Sequence, residues 1–69
     1  MVRARLIPGG GEKEVSVEGR IKVRDLLRAL GFSSEEAVVI KSGTPLTEED
    51  YLEPGDEVEV VRVLSGGFL

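Results

Sequence analysis

The longest and most β-branched of the predicted strands, residues 57–64, constrains the fold more than any other feature. In a strand, successive side chains point to opposite faces. The apolar residues of this run therefore divide between two faces: Val58, Val60 and Leu64 on one, Val61 and Val63 on the other. A strand that is apolar on both faces is typical of the interior of a sheet. One helix covers only one face of a small sheet, so neighbouring side chains shield the second face or a partner binds it.

Two shorter alternating runs open the chain, at Val2–Ile7 and at residues 13–17. In the first run, Val2, Ala4 and Leu6 face one way, whereas Arg3, Arg5 and Ile7 face the other. The glycine-rich segment 8–11 between the runs predicts a β-hairpin.

The hydrophobic period then changes from two to that of a helix. Apolar residues recur at the spacing of one helical face: Val23, Leu26, Leu27 and Leu30. Gly31 follows them, where a left-handed C-terminal cap is expected. The N-terminal cap falls on Lys22, a poor capping residue.

A further short strand is predicted at Ala37–Lys41, with Val38 and Ile40 on one face and Val39 on the other. Leu46 and Leu52 are expected to enter the core from a loop. The order is then strand, strand, helix, strand, strand. This is the order of a β-grasp (ubiquitin-like) α+β fold, ββαββ, with one helix packed on a mixed four-stranded sheet. The first and last strands would be parallel neighbours at its centre.

Composition excludes several function classes. The 69 residues contain neither cysteine nor histidine, so thiol chemistry and the commonest metal ligand are absent, and no metal or cofactor is expected. A net charge of −4 disfavours nucleic-acid binding. No segment has the length of a membrane span and no secretory signal opens the chain, so we expect a cytoplasmic protein, monomeric when free. Asparagine and glutamine are absent while 32% of residues are charged, which is typical of thermophilic proteins.

A diglycine, Gly66-Gly67, follows the last strand and precedes Phe68 and Leu69. Paired glycines form a thin, flexible strip of backbone. Extended, residues 65–67 would reach roughly 10 Å beyond the strand. Such a strip suits insertion into a narrow enzyme channel, although a frayed end would have the same composition. We expect a β-grasp domain at residues 1–65 and a flexible tail at residues 66–69.

The C-terminal third resembles the ThiS/MoaD family of ubiquitin-like sulfur carriers. The resemblance is carried by residues 52–60 (LEPGDEVEV) and 63–67 (VLSGG). The helix at residues 23–31 (VRDLLRALG) and the strand and turn at residues 38–43 (VVIKSG) are also similar to that family. The match spans nearly the whole chain.

This resemblance implies that the protein is not itself an enzyme. A ubiquitin-activating-type enzyme would adenylate the carboxylate of Gly67 with ATP, and Gly66 would give the slender approach. A sulfur donor would then convert this group to a thiocarboxylate. A sulfur-accepting synthase would use the thiocarboxylate sulfur to make thiamin, molybdopterin or thiolated tRNA. Most family members end at the second glycine, so Phe68-Leu69 implies trimming by a protease, a regulated block, or a lost activation step.

A partner surface is expected on the outward face of the last strand. Val61 and Val63, with Ile7 and Val39, would form an apolar docking patch, and Glu57 and Glu59 would steer a basic partner. Two alternative functions remain open at this point. In the first, the protein is a ubiquitin-like modifier attached to lysines. In the second, it is a β-grasp interaction module without terminal chemistry.

Overall fold

A computed structural model describes residues 1–7 and 9–63 of the chain. The elements follow one another in this order: β1 (Val2–Ile7), β2 (Glu12–Val15), β3 (Ile21–Lys22), α1 (Val23–Ala29), β4 (Ala37–Lys41), β5 (Thr44–Leu46), β6 (Tyr51–Leu52) and β7 (Glu57–Arg62). Residues 64–69, which include the diglycine and the predicted tail, lie outside the described residues, so the domain boundary stays a prediction.

The strands form a mixed five-stranded sheet in the order β2-β1-β7-β4-β5, and β3 pairs with β6 in a separate two-stranded ribbon. β7 lies at the centre, parallel to β1 and antiparallel to β4. Helix α1, the single helix of residues 1–7 and 9–63, and this sheet confirm the predicted β-grasp fold and the parallel central pair. The sheet has a fifth strand, β5, which was expected to be a loop.

The core lies between the sheet and α1. Among the described residues, ten hydrophobic side chains are buried: Val2, Ala4, Val23, Leu26, Leu27, Ala37, Val39, Leu52, Val58 and Val60. The predicted helix face and the predicted role of Leu52 are thus confirmed, although Leu52 belongs to β6. Since Val58 and Val60 face this core, the other face of β7 points away from the helix.

The placement of Val39 on the outward face was wrong. Val39 is 1% exposed, because it pairs with core-facing Val60 on one side and with Leu46 on the other. Register partners in a sheet share a face. Val38 pairs instead with outward-facing Val61 and is 37% exposed.

Both ends of α1 are closed by the backbone. Lys22 makes no side-chain cap, but the N–H groups of Val23 and Arg24 donate to the carbonyls of Asp50 and Glu48, at 2.9 and 3.2 Å. These bonds satisfy donors that every helix leaves free at its start. At the other end, Gly31 has φ +91° and donates to the carbonyl of Arg28 at 3.0 Å. Phe32 N–H donates to Leu27 at 2.8 Å, which completes a Schellman motif.

Within residues 1–7 and 9–63, no helix is long and apolar enough to cross a membrane.

Candidate functional site

The face of the five-stranded sheet that points away from α1 carries most of the predicted partner residues, and we call it the outer face. Ile7 pairs directly with Val61, and Val61 pairs with Val38 on its other side. These three side chains therefore form one apolar row across β1, β7 and β4. Ile7 and Val61 are half-buried and Val38 is exposed, so the row is open to a partner.

Two of the four predicted apolar docking residues meet in this row, namely Ile7 and Val61. Val63 lies just beyond the end of β7, where it is half-buried and its N–H donates to the carbonyl of Glu36 at 2.8 Å. Val39 is in the core, and Val38 takes its place on the outer face. Period-2 alternation placed Val38 and Val39 on opposite faces correctly, so the error lay in which face is buried.

Charged side chains form two further rows on the outer face, across β2, β1 and β7. One row is Glu14–Arg3–Glu57 and the other is Glu12–Arg5–Glu59. An Arg3 guanidinium nitrogen lies 3.0 Å from the Glu14 carboxylate, and another lies 3.6 Å from that of Glu57. The hydrogen bond and charge of Glu14, then the charge of Glu57, raise the pKa of Arg3. The predicted acidic residues Glu57 and Glu59 therefore lie on the same face as the apolar row.

A third cation, Lys41, is paired at the edge of these rows. Its ammonium donates to the Asp56 carboxylate at 3.0 Å, and the N–H of Glu53 donates to the same oxygen at 2.8 Å. The pKa of Asp56 is lowered chiefly by the hydrogen bond from the Glu53 N–H, and next by the hydrogen bond from Lys41. This carboxylate thus fixes the turn that leads into β7.

The charged rows line a cavity of about 530 Å³ on the outer face. Its lining includes Arg3, Arg5 and Lys41 together with Glu12, Asp56, Glu57 and Glu59. Carboxylates outnumber cations there, so the cavity favours a basic group from a partner. Within the described part of the chain, no group of three or more acidic residues is placed to hold a metal ion.

The apolar row lies at the end of β7 from which the chain continues to the diglycine. Val61 is the next-to-last residue of β7, and Gly66 follows Arg62 by only four positions. The structure does not describe Gly66 or Gly67, so their roles stay predictions. β7 is hydrogen-bonded to a strand on each side, so the sheet fixes the position of the end of β7, from which the chain continues toward the diglycine.

Comparison with known proteins gives concordant matches. The family model described as small archaeal modifier protein 2 matches residues 1–64. Sulfur carrier protein TtuB of Thermus thermophilus is 38% identical over 55 residues, covering 80% of this chain and 85% of that protein. Small archaeal modifier protein 2 of Haloferax volcanii is 34% identical over 61 residues, covering 88% and 91%. An uncharacterized protein of Archaeoglobus fulgidus is 45% identical over 56 residues, covering 81% of each chain.

Proposed function

Because the chain belongs to the small archaeal modifier protein 2 family, we propose that it is a ubiquitin-like sulfur carrier whose reactive group is the carboxylate of Gly67. The single observation that carries the proposal is the Gly66-Gly67 pair, which follows the central strand of a β-grasp sheet within a few residues. The relative named as a sulfur carrier supports it, since it aligns with 80% of this chain.

In the proposed reaction, the protein is the substrate of partner enzymes. An adenylating enzyme joins the Gly67 carboxylate to the α-phosphate of ATP and releases pyrophosphate. A sulfur donor then supplies the atom that replaces AMP at the carbonyl, and the resulting thiocarboxylate passes its sulfur to an accepting synthase. The sequence contains no cysteine or histidine for covalent or general-base catalysis, which agrees with a carrier role.

We assign docking of the adenylating enzyme to the outer face. Its apolar row, Ile7–Val61–Val38, would meet an apolar surface of the enzyme, with Val63 at its margin. Glu57 and Glu59 would face basic side chains, since carboxylates exceed cations on this face. This arrangement holds the body of the domain outside while the glycines enter a narrow channel.

Chemistry at Gly67 requires that its carboxylate be free, so we propose that a protease removes Phe68-Leu69. Mass spectrometry of the protein from its native cell tests this step. A species ending at Gly67, or one about 16 Da heavier from replacement of oxygen by sulfur, supports trimming. A protein that always retains both residues contradicts it.

The activation step is tested with a chain shortened to end at Gly67, incubated with the adenylating enzyme of the same cell and labelled ATP. We expect pyrophosphate exchange. Val61→Asp should lower kcat/KM for exchange about tenfold by charging the apolar row. Ser34→Asp is the matched control, because it adds the same charge at an exposed residue between α1 and β4, outside the face. Absence of exchange with the chain that ends at Gly67 and carries no substitution refutes the carrier proposal, and equal rates for both variants refute the docking assignment.

A second candidate function is attachment to proteins. The family description and the Haloferax volcanii relative both carry the word modifier. Attachment would share the adenylation step, after which a lysine amine rather than sulfur would attack the Gly67 carbonyl. Proteolytic peptides that carry the C-terminal residues of this chain on lysine would identify this route.

A further inference from the structure

A second surface, separate from the outer face, surrounds the exposed ring of Tyr51. This residue is 44% exposed on β6 and pairs with Lys22 of β3. The Arg20 guanidinium carbon lies 4.0 Å from the centre of the ring, and the Lys22 ammonium lies 5.7 Å from it. Both distances are within the range of cation–π attraction. We call Arg20, Lys22, Arg24, Arg28 and Tyr51 the ribbon patch.

The cations of this patch are only partly neutralised. Lys22 and Arg24 share one carboxylate, that of Glu49, at 3.1 and 3.2 Å. Within residues 1–7 and 9–63, no carboxylate lies within 4.0 Å of the charged groups of Arg20 or Arg28. The patch therefore has guanidinium groups available to an incoming anion. The Lys22 hydrogen bond, with the charges of Lys22 and Arg24, lowers the pKa of Glu49, which agrees with a locally positive field.

Other carboxylates in the same stretch of chain limit this field to short range. They are Asp25, Glu48 and Asp50. Asp50 is directed into its own bend, where it accepts from the Thr47 N–H at 2.7 Å and from the Thr47 hydroxyl at 3.2 Å. A nucleic acid carries a charge at every nucleotide and requires an extended basic surface. On this chain of net charge −4, the guanidinium groups of the patch are isolated and lie among carboxylates. They therefore fit the separate carboxylates of a protein better than they fit a nucleic acid.

The backbone beneath the patch is held in place before any partner binds. Fully buried Leu52 lies next to Tyr51 in β6 and anchors the ribbon in the core. The hydrogen bonds from Val23 to Asp50 and from Arg24 to Glu48 join the start of α1 to the segment before β6. Binding would therefore require little rearrangement of the backbone, which lowers its entropic cost. Tyrosine and arginine are also the residue types that dominate binding energy at protein interfaces.

A cavity of about 540 Å³ continues the patch along α1. Its lining includes Arg24, Arg28, Phe32 and Ser33, with Glu48 at the side. It combines an aromatic ring, two guanidinium groups and a hydroxyl, so it can accept an apolar or aromatic side chain that stands next to a carboxylate.

We infer that the ribbon patch is a second docking surface, which takes an acidic segment of a partner protein with one aromatic or apolar side chain beside its carboxylates. None of its residues belongs to the outer face. A protein engaged through Ile7, Val61 and Val38 therefore still presents the patch to a second partner. The inference does not depend on chemistry at Gly67.

The test uses the full chain labelled with ¹⁵N and three synthetic probes: a glutamate-rich dodecapeptide with one phenylalanine, the same peptide with lysine in place of glutamate, and a single-stranded RNA of twelve nucleotides. We expect the acidic peptide to shift the amide resonances of residues 20–28 and 49–51, with an affinity that falls as salt rises. Replacing two cations in Arg20→Gln/Lys22→Gln should weaken binding about tenfold. Arg5→Gln, a cation of the outer face, is the control and should bind as the unaltered chain does.

Four results overturn the inference: no shifts, shifts confined to the outer face, equal binding of the lysine peptide, or tighter binding of the RNA. Thermal unfolding of each variant shows whether it is folded. If the double variant does not fold, Tyr51→Leu takes its place, and loss of binding with an unchanged unfolding midpoint supports the patch.

Discussion

Replacement of Asp56 tests how β7 is held at its start. The Asp56 side chain is 18% exposed and is bonded to the Glu53 N–H and to the Lys41 ammonium. The Asp56 backbone contributes as well, since its carbonyl accepts from the Arg3 N–H at 3.0 Å. The residue thus links the turn before β7 to the start of β1 and the end of β4.

The expected cost of Asp56→Ala follows from these contacts. A hydrogen bond to a charged acceptor contributes about 1.5 kcal/mol or more. The ion pair adds about 0.5 kcal/mol, because the Lys41 side chain is 40% exposed and solvent screens it. The total of about 2 kcal/mol corresponds to a fall of about 8–16 °C in the unfolding midpoint of so small a domain. Asp56→Asn keeps an acceptor for Glu53 and should cost about half as much.

The dependence on pH separates the charge from the shape of this side chain. Since the native pKa of Asp56 is lowered, its ionised form stabilises the fold fully above the unfolded value, about 3.9. This contribution is lost as the pH falls through the native pKa. Urea unfolding of the unaltered chain and of Asp56→Asn should therefore give curves whose difference shrinks below about pH 4. A difference that stays constant from pH 7 to pH 2, or a cost of Asp56→Ala below about 0.5 kcal/mol, refutes this account.

Four further substitutions test the core, the register of β4 and the turn after it. Leu26→Ala removes a fully buried side chain under the sheet and should cost about 2–4 kcal/mol, measured by urea unfolding; a cost near zero would contradict the assignment of Leu26 to the core. Val39→Asp places an unpaired charge in the core and should abolish the native circular dichroism spectrum, whereas Val38→Asp, one residue earlier on the outer face, should leave it intact. Equal effects of these two would mean that the register of β4 is wrong. Ser42 and Gly43 both have positive φ, 52° and 80°, as a type I′ turn requires, so Ser42→Asn should raise stability by about 0.5 kcal/mol. A lowered urea midpoint for that variant would argue against the turn type.

The β-grasp fold could be predicted from the sequence because the strongest hydrophobic patterns are periodic over whole elements. The apolar face of α1, at Val23, Leu26 and Leu27, spans both turns of that helix, and the apolar residues of β7 lie on both faces along that strand. The resemblance to ubiquitin-like sulfur carriers is confirmed by the family match and by the named relatives. The thermophilic origin stays a prediction.

Features that depend on register were beyond the sequence. Both faces of β4 are apolar, so alternation alone did not reveal that Val39 pairs with Val60 and faces the core. β3 and β6 have two residues each, too few for a periodic signal, and the stacking of Arg20 on Tyr51 depends on their pairing. The pairing of Arg3 with Glu14 and Glu57 likewise requires three strands in known order.

The central position of β7 also determines when this protein can fold. β1 and β4 do not pair with each other, so a nascent chain that still lacks β7 holds two unconnected hairpins, β1–β2 and β4–β5. The contacts that join them are distant in sequence and form only once the last strand has been synthesised. Folding of this sheet is therefore completed only after β7 has been translated, and a chain that stops before residue 57 lacks the strand that joins the two hairpins.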